Sequence, residues 1–103
     1  MENDINKLKE SLLTSHWPAC NTIAQQLYEI GGDDAKEALI SGLKGKRHHI
    51  RTAAIKYLGQ FEDASLVSKI RPYLNDSSYE TRMEAKKAIR VLTGEDLLTG
   101  RGE

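Results

Sequence analysis

The residues of this sequence that could carry out chemistry are few, and the first candidates are its single cysteine and its three histidines. His16 and Cys20 are four residues apart, so on one continuous helix they would face the same side, as a base and a nucleophile must. A basic neighbour such as Arg51 would favour the thiolate form of the cysteine. However, Pro18 lies between the two residues, and no third residue is identifiable that would orient the histidine. A buried cysteine without a chemical role is therefore the favoured interpretation.

The other histidines do not predict a metal site. His48 and His49 are adjacent, so on a helix their side chains point about 100° apart, and no carboxylate or cysteine lies at ligand spacing along the chain. The Gly31-Gly32 pair ends a helix and has no surrounding phosphate-loop motif. We therefore predict no metal, no cofactor and no catalytic residue, and a protein that is not an enzyme.

The remaining candidates are basic residues, and a repeat of 31 residues decides where they lie. Such a period is typical of stacked helical units, because each unit is unable to bury its apolar face alone. Shifting the chain by this step aligns five apolar columns without a gap. The columns are Leu8, Leu39 and Ile70; Leu12, Leu43 and Leu74; Ile23, Ala54 and Ala85; Leu27, Leu58 and Ile89; and Ile30, Phe61 and Leu92.

Each repeat is predicted to be a hairpin of two helices, A and B, because apolar residues recur with helical spacing throughout. The predicted helices are 4–14, 17–30, one that starts at 33–34, 48–60, one that starts at 63, and 79–92. Gly31-Gly32 and Gly94 are predicted to end helices, Asp34 with Glu37 and Asp63 to cap them, and Pro72 to kink the third A helix. Leu97 and Leu98 are expected to fold over the end of the stack. This pattern predicts a single all-α domain over 1–103, with repeats 3–32, 33–62 and 63–94 and a tail 95–103.

Two B-helix segments resemble a known family. Residues 50–63 (IRTAAIKYLGQFED) and 81–94 (TRMEAKKAIRVLTG) resemble helix B of the short bacterial HEAT-like repeats, the kind also found in phycobilin lyase subunits. The resemblance covers about 33–95 and is weaker in the first hairpin, where Cys20 stands in place of the expected arginine. The signatures of tetratricopeptide and ankyrin repeats are missing. The resemblance implies a right-handed α-solenoid that binds another macromolecule, with the B helices lining its concave side.

The B-helix positions that the apolar columns do not use are therefore the predicted binding surface. In the first repeat they include Cys20, Asn21, Ala24, Gln25 and Tyr28. In the later repeats the predicted partner-binding residues are Arg51, Ile55, Lys56, Arg82, Met83, Lys86, Lys87 and Arg90, six of them basic and none acidic. An ordinary solvated helix face explains this pattern equally well. For Arg51 and Arg82 we favour a structural role, in which each bonds to neighbouring carboxylates or carbonyls and links the repeats.

The function predicted from this surface is that of a non-catalytic scaffold or adaptor that binds another protein with an acidic surface. An inhibitor or a toxin-neutralising protein would work in the same way. Two alternatives remain open at this stage. One is binding of a nucleic-acid backbone, with help from Lys44, Lys46 and Arg47, and the other is a lyase-like or thiol enzyme fragment that uses Cys20.

Composition limits the remaining possibilities. Fifteen basic and fifteen acidic residues cancel, so net charge predicts neither a nucleic-acid nor a membrane partner. A single cysteine excludes an intrachain disulfide, the N-terminus lacks the pattern of a secretory signal, and no apolar run could span a bilayer. We therefore expect a cytoplasmic protein that is a monomer or self-associates weakly. Trp17 is expected to pack over the first turn of its own repeat.

Overall fold

The computed structural model describes residues 2–94, and this part of the chain is helical without any strand. Two short 3-10 helices, Ala64–Leu66 and Arg71–Asn75, flank a single α-helical turn in the third repeat. The α-helices are α1 (Glu2–Thr14), α2 (Ala19–Ile30), α3 (Gly32–Gly42), α4 (His48–Leu58), α5 (Val67–Ile70) and α6 (Tyr79–Thr93).

The helices form three hairpins that stack side by side. The A helix α1 packs against α3, while the B helices pack in series, α2 against α4 and α4 against α6. The body measures 46 × 25 × 18 Å along its principal axes, an elongated shape that suits a stack of similar units. The predicted all-α solenoid architecture is thus confirmed.

The apolar columns form the core between and within the hairpins. Leu12, Leu27, Ala54, Leu58 and other column members are fully buried. The fit is poorest in α2, where Ile23 is only partly buried and Ile30 is 50% exposed. The prediction that Ile30 points into the core is wrong. α2 ends at Ile30, and the buried residues of this helix are Cys20, Ala24 and Leu27. These three residues lie at positions 0, 4 and 7 of one helical stripe.

Glycine and aspartate end and begin the helices largely as predicted. Gly31 (φ 72°) follows α2 and donates its N–H to the Leu27 carbonyl, and Gly94 (φ 83°) ends α6 in the left-handed conformation. Asp63 accepts a hydrogen bond from the Ser65 N–H at 3.0 Å. The predicted capping role of Asp34 is wrong, because the chain passes from α2 into α3 through Gly31 alone, which leaves Asp34 inside the first turn of α3.

The remaining differences concern helix ends. α2 begins at Ala19, two residues later than predicted, and α4 ends at Leu58, two residues earlier. The third A helix is broken and not merely kinked, since Pro72 lies at the start of the 3-10 segment Arg71–Asn75. Proline has no N–H to donate and disfavours α-helix in the residue before it, so α5 is left with a single turn. Leu97 and Leu98 lie outside the described residues.

Two glycines allow the hairpins to approach closely. A Cβ at Gly42 would lie 2.8 Å from Cδ2 of Leu12 and 3.1 Å from Cβ of Ala54. A Cβ at Gly59 would lie 2.8 Å from Cβ of Ala88 in α6. Both separations are shorter than van der Waals contact, so each interface between hairpins contains a position that only glycine fills without a shift.

Candidate functional site

Arg51 joins the second repeat to the third. Its guanidinium forms a two-pronged ion pair with Asp76, with Nε 2.9 Å from Oδ1 and Nη2 3.0 Å from Oδ2. Its Nη1 donates to the carbonyls of Gly45 and Lys46. Both ionic side chains are largely buried, 15% exposed for the arginine and 8% for the aspartate. This is the structural role favoured for Arg51 on the basis of the sequence.

Arg82 repeats part of this geometry one unit later. Its Nη1 donates to the carbonyl of Asp76 at 2.8 Å, as Nη1 of Arg51 donates to Gly45, and in both cases the acceptor lies six residues upstream. The guanidinium also lies over the Tyr79 ring, 5.7 Å from its centroid. The two arginines therefore occupy equivalent places in the stack. Arg51 differs in that it also forms an ion pair with a carboxylate of the next repeat, Asp76.

Ile55 is not available to a partner. The predicted contact residue is fully buried, so its place in the binding surface is corrected to the core. Four residues before it, Arg51 bonds to Asp76, and four residues after it, Gly59 contacts Ala88 of α6. Residues 51, 55 and 59 thus form one stripe, along α4 and the residue that follows it, that packs on the third repeat.

The 31-residue repeat identifies the equivalent stripes in the other two B helices. In α2 it consists of Cys20, Ala24 and Tyr28. Cys20 is fully buried, as the favoured interpretation of this residue predicted, whereas the burial of Ala24 corrects its predicted place in the binding surface. In α6, the last helix among residues 2–94, it consists of Arg82, Lys86 and Arg90, which are only partly buried. The sequence predicts that the residues of this stripe belong to the concave binding surface. The five apolar columns that define the core do not separate the two faces, because the residues of both faces lie outside these columns.

A groove of about 390 Å³ runs across the B helices on a different face from this stripe. Lys56 lines this groove. A smaller depression beside the groove, between α4 and α6, is lined by Lys56 and Lys87. Two carboxylates, Glu80 and Glu84, lie in the same groove, so its charge is mixed rather than purely basic. Its lining is Trp17, Asn21, His49, Thr52, Ala53, Lys56, Glu80 and Glu84.

Trp17 lies at the edge of this groove. Its side chain is 63% exposed, and its ring contacts that of His49 in the next repeat, with 6.0 Å between the centroids. The expectation that Trp17 packs over its own repeat is therefore wrong. Because α2 begins only at Ala19, Trp17 lies in the preceding turn and not on a helix face directed to the core. An exposed aromatic ring of this size is typical of a binding surface.

Cys20 is poorly suited to nucleophilic chemistry. The residue is fully buried, and burial raises the pKa of its thiol above the ordinary value, which disfavours the reactive thiolate. Cys20 lies in the first turn of α2, at the position that Arg51 occupies in α4, and the guanidinium of Arg51 is itself paired with Asp76. Its environment is that of a small core residue.

The class of protein that this geometry defines is an α-solenoid of stacked helical hairpins with a groove across one layer. A family model described as HEAT repeats matches residues 5–90, and the chain belongs to this family. HEAT repeats generally mediate binding to other proteins and are generally non-catalytic. No curated protein and no solved structure matches the chain significantly. Among the described residues, no helix is long and apolar enough to cross a membrane.

Two carboxylates should make the stability of the fold sensitive to acid. Hydrogen bonds from Ser65 and the ammonium of Lys36 lower the pKa of Asp63 to about 2. Burial raises the pKa of Asp76, but the hydrogen bonds from Arg51 and the Ser78 N–H outweigh it, and the pKa lies below its ordinary value. Both groups take up protons more readily in the unfolded chain.

We therefore expect the free energy of unfolding to be nearly constant from about pH 7 to pH 5 and to fall from about pH 4 to pH 2. Urea denaturation at each pH measures it. Asp63→Asn should flatten the acid limb, whereas Asp34→Asn, which changes an exposed carboxylate, should leave it unchanged. An equal fall in Asp63→Asn and the unmodified protein would contradict this assignment.

Proposed function

We propose that the chain is a non-catalytic protein-binding module, an adaptor or inhibitor that holds a partner protein in the groove across its B helices. The observation that supports this most is the exposed Trp17 ring at the edge of the groove, beside His49 of the next repeat. Aromatic side chains provide much of the binding energy in protein interfaces. The groove spans all three B helices, which suits an extended segment or a helix of the partner better than a small molecule.

The rigidity of the groove supports the same role. Its walls belong to helices whose other faces are held by the buried core and by the Arg51–Asp76 ion pair. Thr52 on α4 and Thr81 on α6 share a hydrogen bond of 2.9 Å, which fixes the two helices relative to each other. A surface that is already ordered loses little conformational entropy on binding, so more of the contact energy contributes to affinity.

Charge in the groove gives the partner a chemical description. Lys56 and Lys87 are available to carboxylates of a partner, and Trp17 to one of its apolar side chains. Glu80 and Glu84 lie beside them, so we propose a partner segment of mixed charge with acidic residues at the lysine end. Arg82, Lys86 and Arg90 lie on the outer face of α6, where they would serve a second contact and not this one. Met83, half-buried on α6, stays a proposed apolar contact of the groove.

Comparative capture tests this proposal. The Trp17→Ala, Lys56→Glu double variant should recover at least about tenfold less of the specific partner from the native cell than the unmodified protein, since it removes an aromatic anchor and reverses a charge. Both side chains are at least partly exposed, so the fold should be retained, as circular dichroism would verify.

The matched control for this capture is Lys69→Glu, a charge reversal on the exposed side of an A helix. Its recovery of the partner should equal that of the unmodified protein. Undiminished recovery by the groove variant would show that the binding surface lies elsewhere.

The alternative of nucleic-acid backbone binding receives less support. Lys44, Lys46 and Arg47 are exposed in the turn before α4, but the guanidinium of Arg51 is already paired with Asp76, and Glu80 lies next to the turn. Phosphate contacts would make binding strongly salt-dependent. An electrophoretic mobility shift at low salt that disappears at physiological salt would favour this alternative over the protein-binding proposal.

A further inference from the structure

Three potential metal ligands from two repeats meet at one end of the groove. The Nδ1 atoms of His48 and His49 lie 3.6 and 3.7 Å from the same oxygen, Oε1 of Glu80. One ligand atom from each of the three residues falls within 4.8 Å of the others. The two imidazole rings lie 4.0 Å apart, between centroids, at the start of α4. Glu80 reaches them from the first turn of α6, 32 residues along the chain from His48.

The polar atoms of this cluster are close without bonding to one another. Nδ1 of His48 is buried from solvent and has no hydrogen-bond partner in the described part of the chain. The two separations from Glu80 exceed the usual length of a hydrogen bond, about 2.7–3.2 Å. They are close to the separation of neighbouring ligands around a tetrahedral ion with bonds of about 2.0–2.2 Å, which is roughly 3.4 Å. A cation bound to this cluster would give Nδ1 of His48 the partner that it lacks.

We propose that His48, His49 and Glu80 bind a divalent transition-metal ion, with Zn²⁺ as the best match. Imidazole nitrogens with one carboxylate oxygen suit zinc, whereas Mg²⁺ and Ca²⁺ require sets of oxygen ligands. Three protein ligands leave a fourth position of the tetrahedron open. The cluster is open to entering ions, since the side chains of His48, His49 and Glu80 are 41%, 37% and 61% exposed.

The location of this site gives it a structural consequence. The ion would connect the start of α4 with the start of α6, and so fasten the second repeat to the third beside the Arg51–Asp76 ion pair. His49 and Glu80 also line the proposed groove, which places the open position of the ion where a partner side chain or water can reach it. The site does not depend on the proposed function, because metal binding is measured on the isolated chain.

Isothermal titration of the tag-free protein with ZnCl₂ tests the site. We expect one ion per chain, with a dissociation constant below about 10 μM, and no binding of Mg²⁺ under the same conditions. His49→Ala and Glu80→Gln should each weaken zinc binding by at least about tenfold, since each removes a ligand. X-ray absorption at the zinc edge should show nitrogen and oxygen neighbours at about 2.0–2.2 Å.

Two matched variants serve as controls. His16→Ala removes the histidine outside the cluster, and Glu84→Gln removes the neighbouring carboxylate of the groove; both should bind zinc within about twofold of the unmodified protein. Circular dichroism would establish that the ligand variants are folded. Absence of zinc binding, or equal affinity in Glu80→Gln and the unmodified protein, would overturn the proposal and leave the groove proposal unaffected.

Discussion

The Ile55→Lys variant is expected to be unfolded or aggregated when it is purified. Ile55 is fully buried on the α4 stripe that packs on the third repeat, between the Arg51 ion pair and the contact of Gly59 with Ala88. A lysine at this position should lower the free energy of unfolding by about 4 kcal/mol or more, because it places an unpaired charge in an apolar interface. The whole stability of a domain of this size is about 5–15 kcal/mol. Circular dichroism and thermal melting measure the effect.

The matched control is the reverse change at the equivalent position, Lys86→Ile. Lys86 is only partly buried, on the equivalent stripe of α6, the last helix among residues 2–94, so stability should change by less than about 0.5 kcal/mol. The new apolar residue between Arg82 and Arg90 should instead favour self-association, visible by analytical ultracentrifugation. A folded Ile55→Lys protein, or an equally damaged Lys86→Ile protein, would show that the stripe is assigned to the wrong face.

The second large effect is expected from Asp76→Ala, which should lower the free energy of unfolding by about 3 kcal/mol. The change leaves the guanidinium of Arg51 largely buried without its acid, and it also removes the acceptor of the Ser78 N–H. Urea denaturation at neutral pH measures the loss. The size of this loss should change little with salt concentration, because salt screens the buried ion pair of the unmodified protein only weakly.

A double-mutant cycle separates the ion pair from its surroundings. Arg51→Ala and Asp76→Ala together should cost clearly less than the sum of the two single changes, with a coupling energy of about 1–3 kcal/mol. Asp33→Ala serves as a control, since this carboxylate is 98% exposed and lies 3.8 Å from Lys36. Additive single and double changes would mean that Arg51 and Asp76 do not stabilise the stack through each other.

The sequence predicted the architecture because stacking repeats in one dimension. Equivalent positions share one environment, so the columns through Leu27, Leu58 and Ile89 identify the core without knowledge of any contact. Helix ends were predicted where a local residue determines them, as Gly94 does. They were missed where the neighbouring element decides, as at Asp34, whose capping role is removed by the one-residue turn from α2 into α3.

The binding surface was harder to predict because a B helix in a stack has more than one covered face. Ile55 and Ala24 are buried by the next repeat, and this burial leaves no signature in one helix considered alone. The signal was nevertheless present in the columns. Ala24, Ile55 and Lys86 share one column, and the change from apolar to charged occurs in the last repeat of the described residues.

The metal-ligand cluster was missed for a related reason. Spacing along the chain showed two adjacent histidines and no carboxylate nearby, whereas the 31-residue repeat places Glu80 in the same column as His49. Stacking then brings the two side chains to 3.7 Å. Comparing the chemistry of equivalent positions, in addition to their hydropathy, would have revealed the pair.

The central claim is that three helical hairpins stack with equivalent positions in contact, and nuclear Overhauser spectra of the unmodified protein test it most directly. The α protons of Gly59 should give a cross-peak with the methyl group of Ala88, and those of Gly42 with the methyl groups of Leu12, because each glycine lies against that side chain in the neighbouring hairpin. Observation of both cross-peaks is the result that we expect. Their absence in a folded, helical protein would contradict the stacked arrangement.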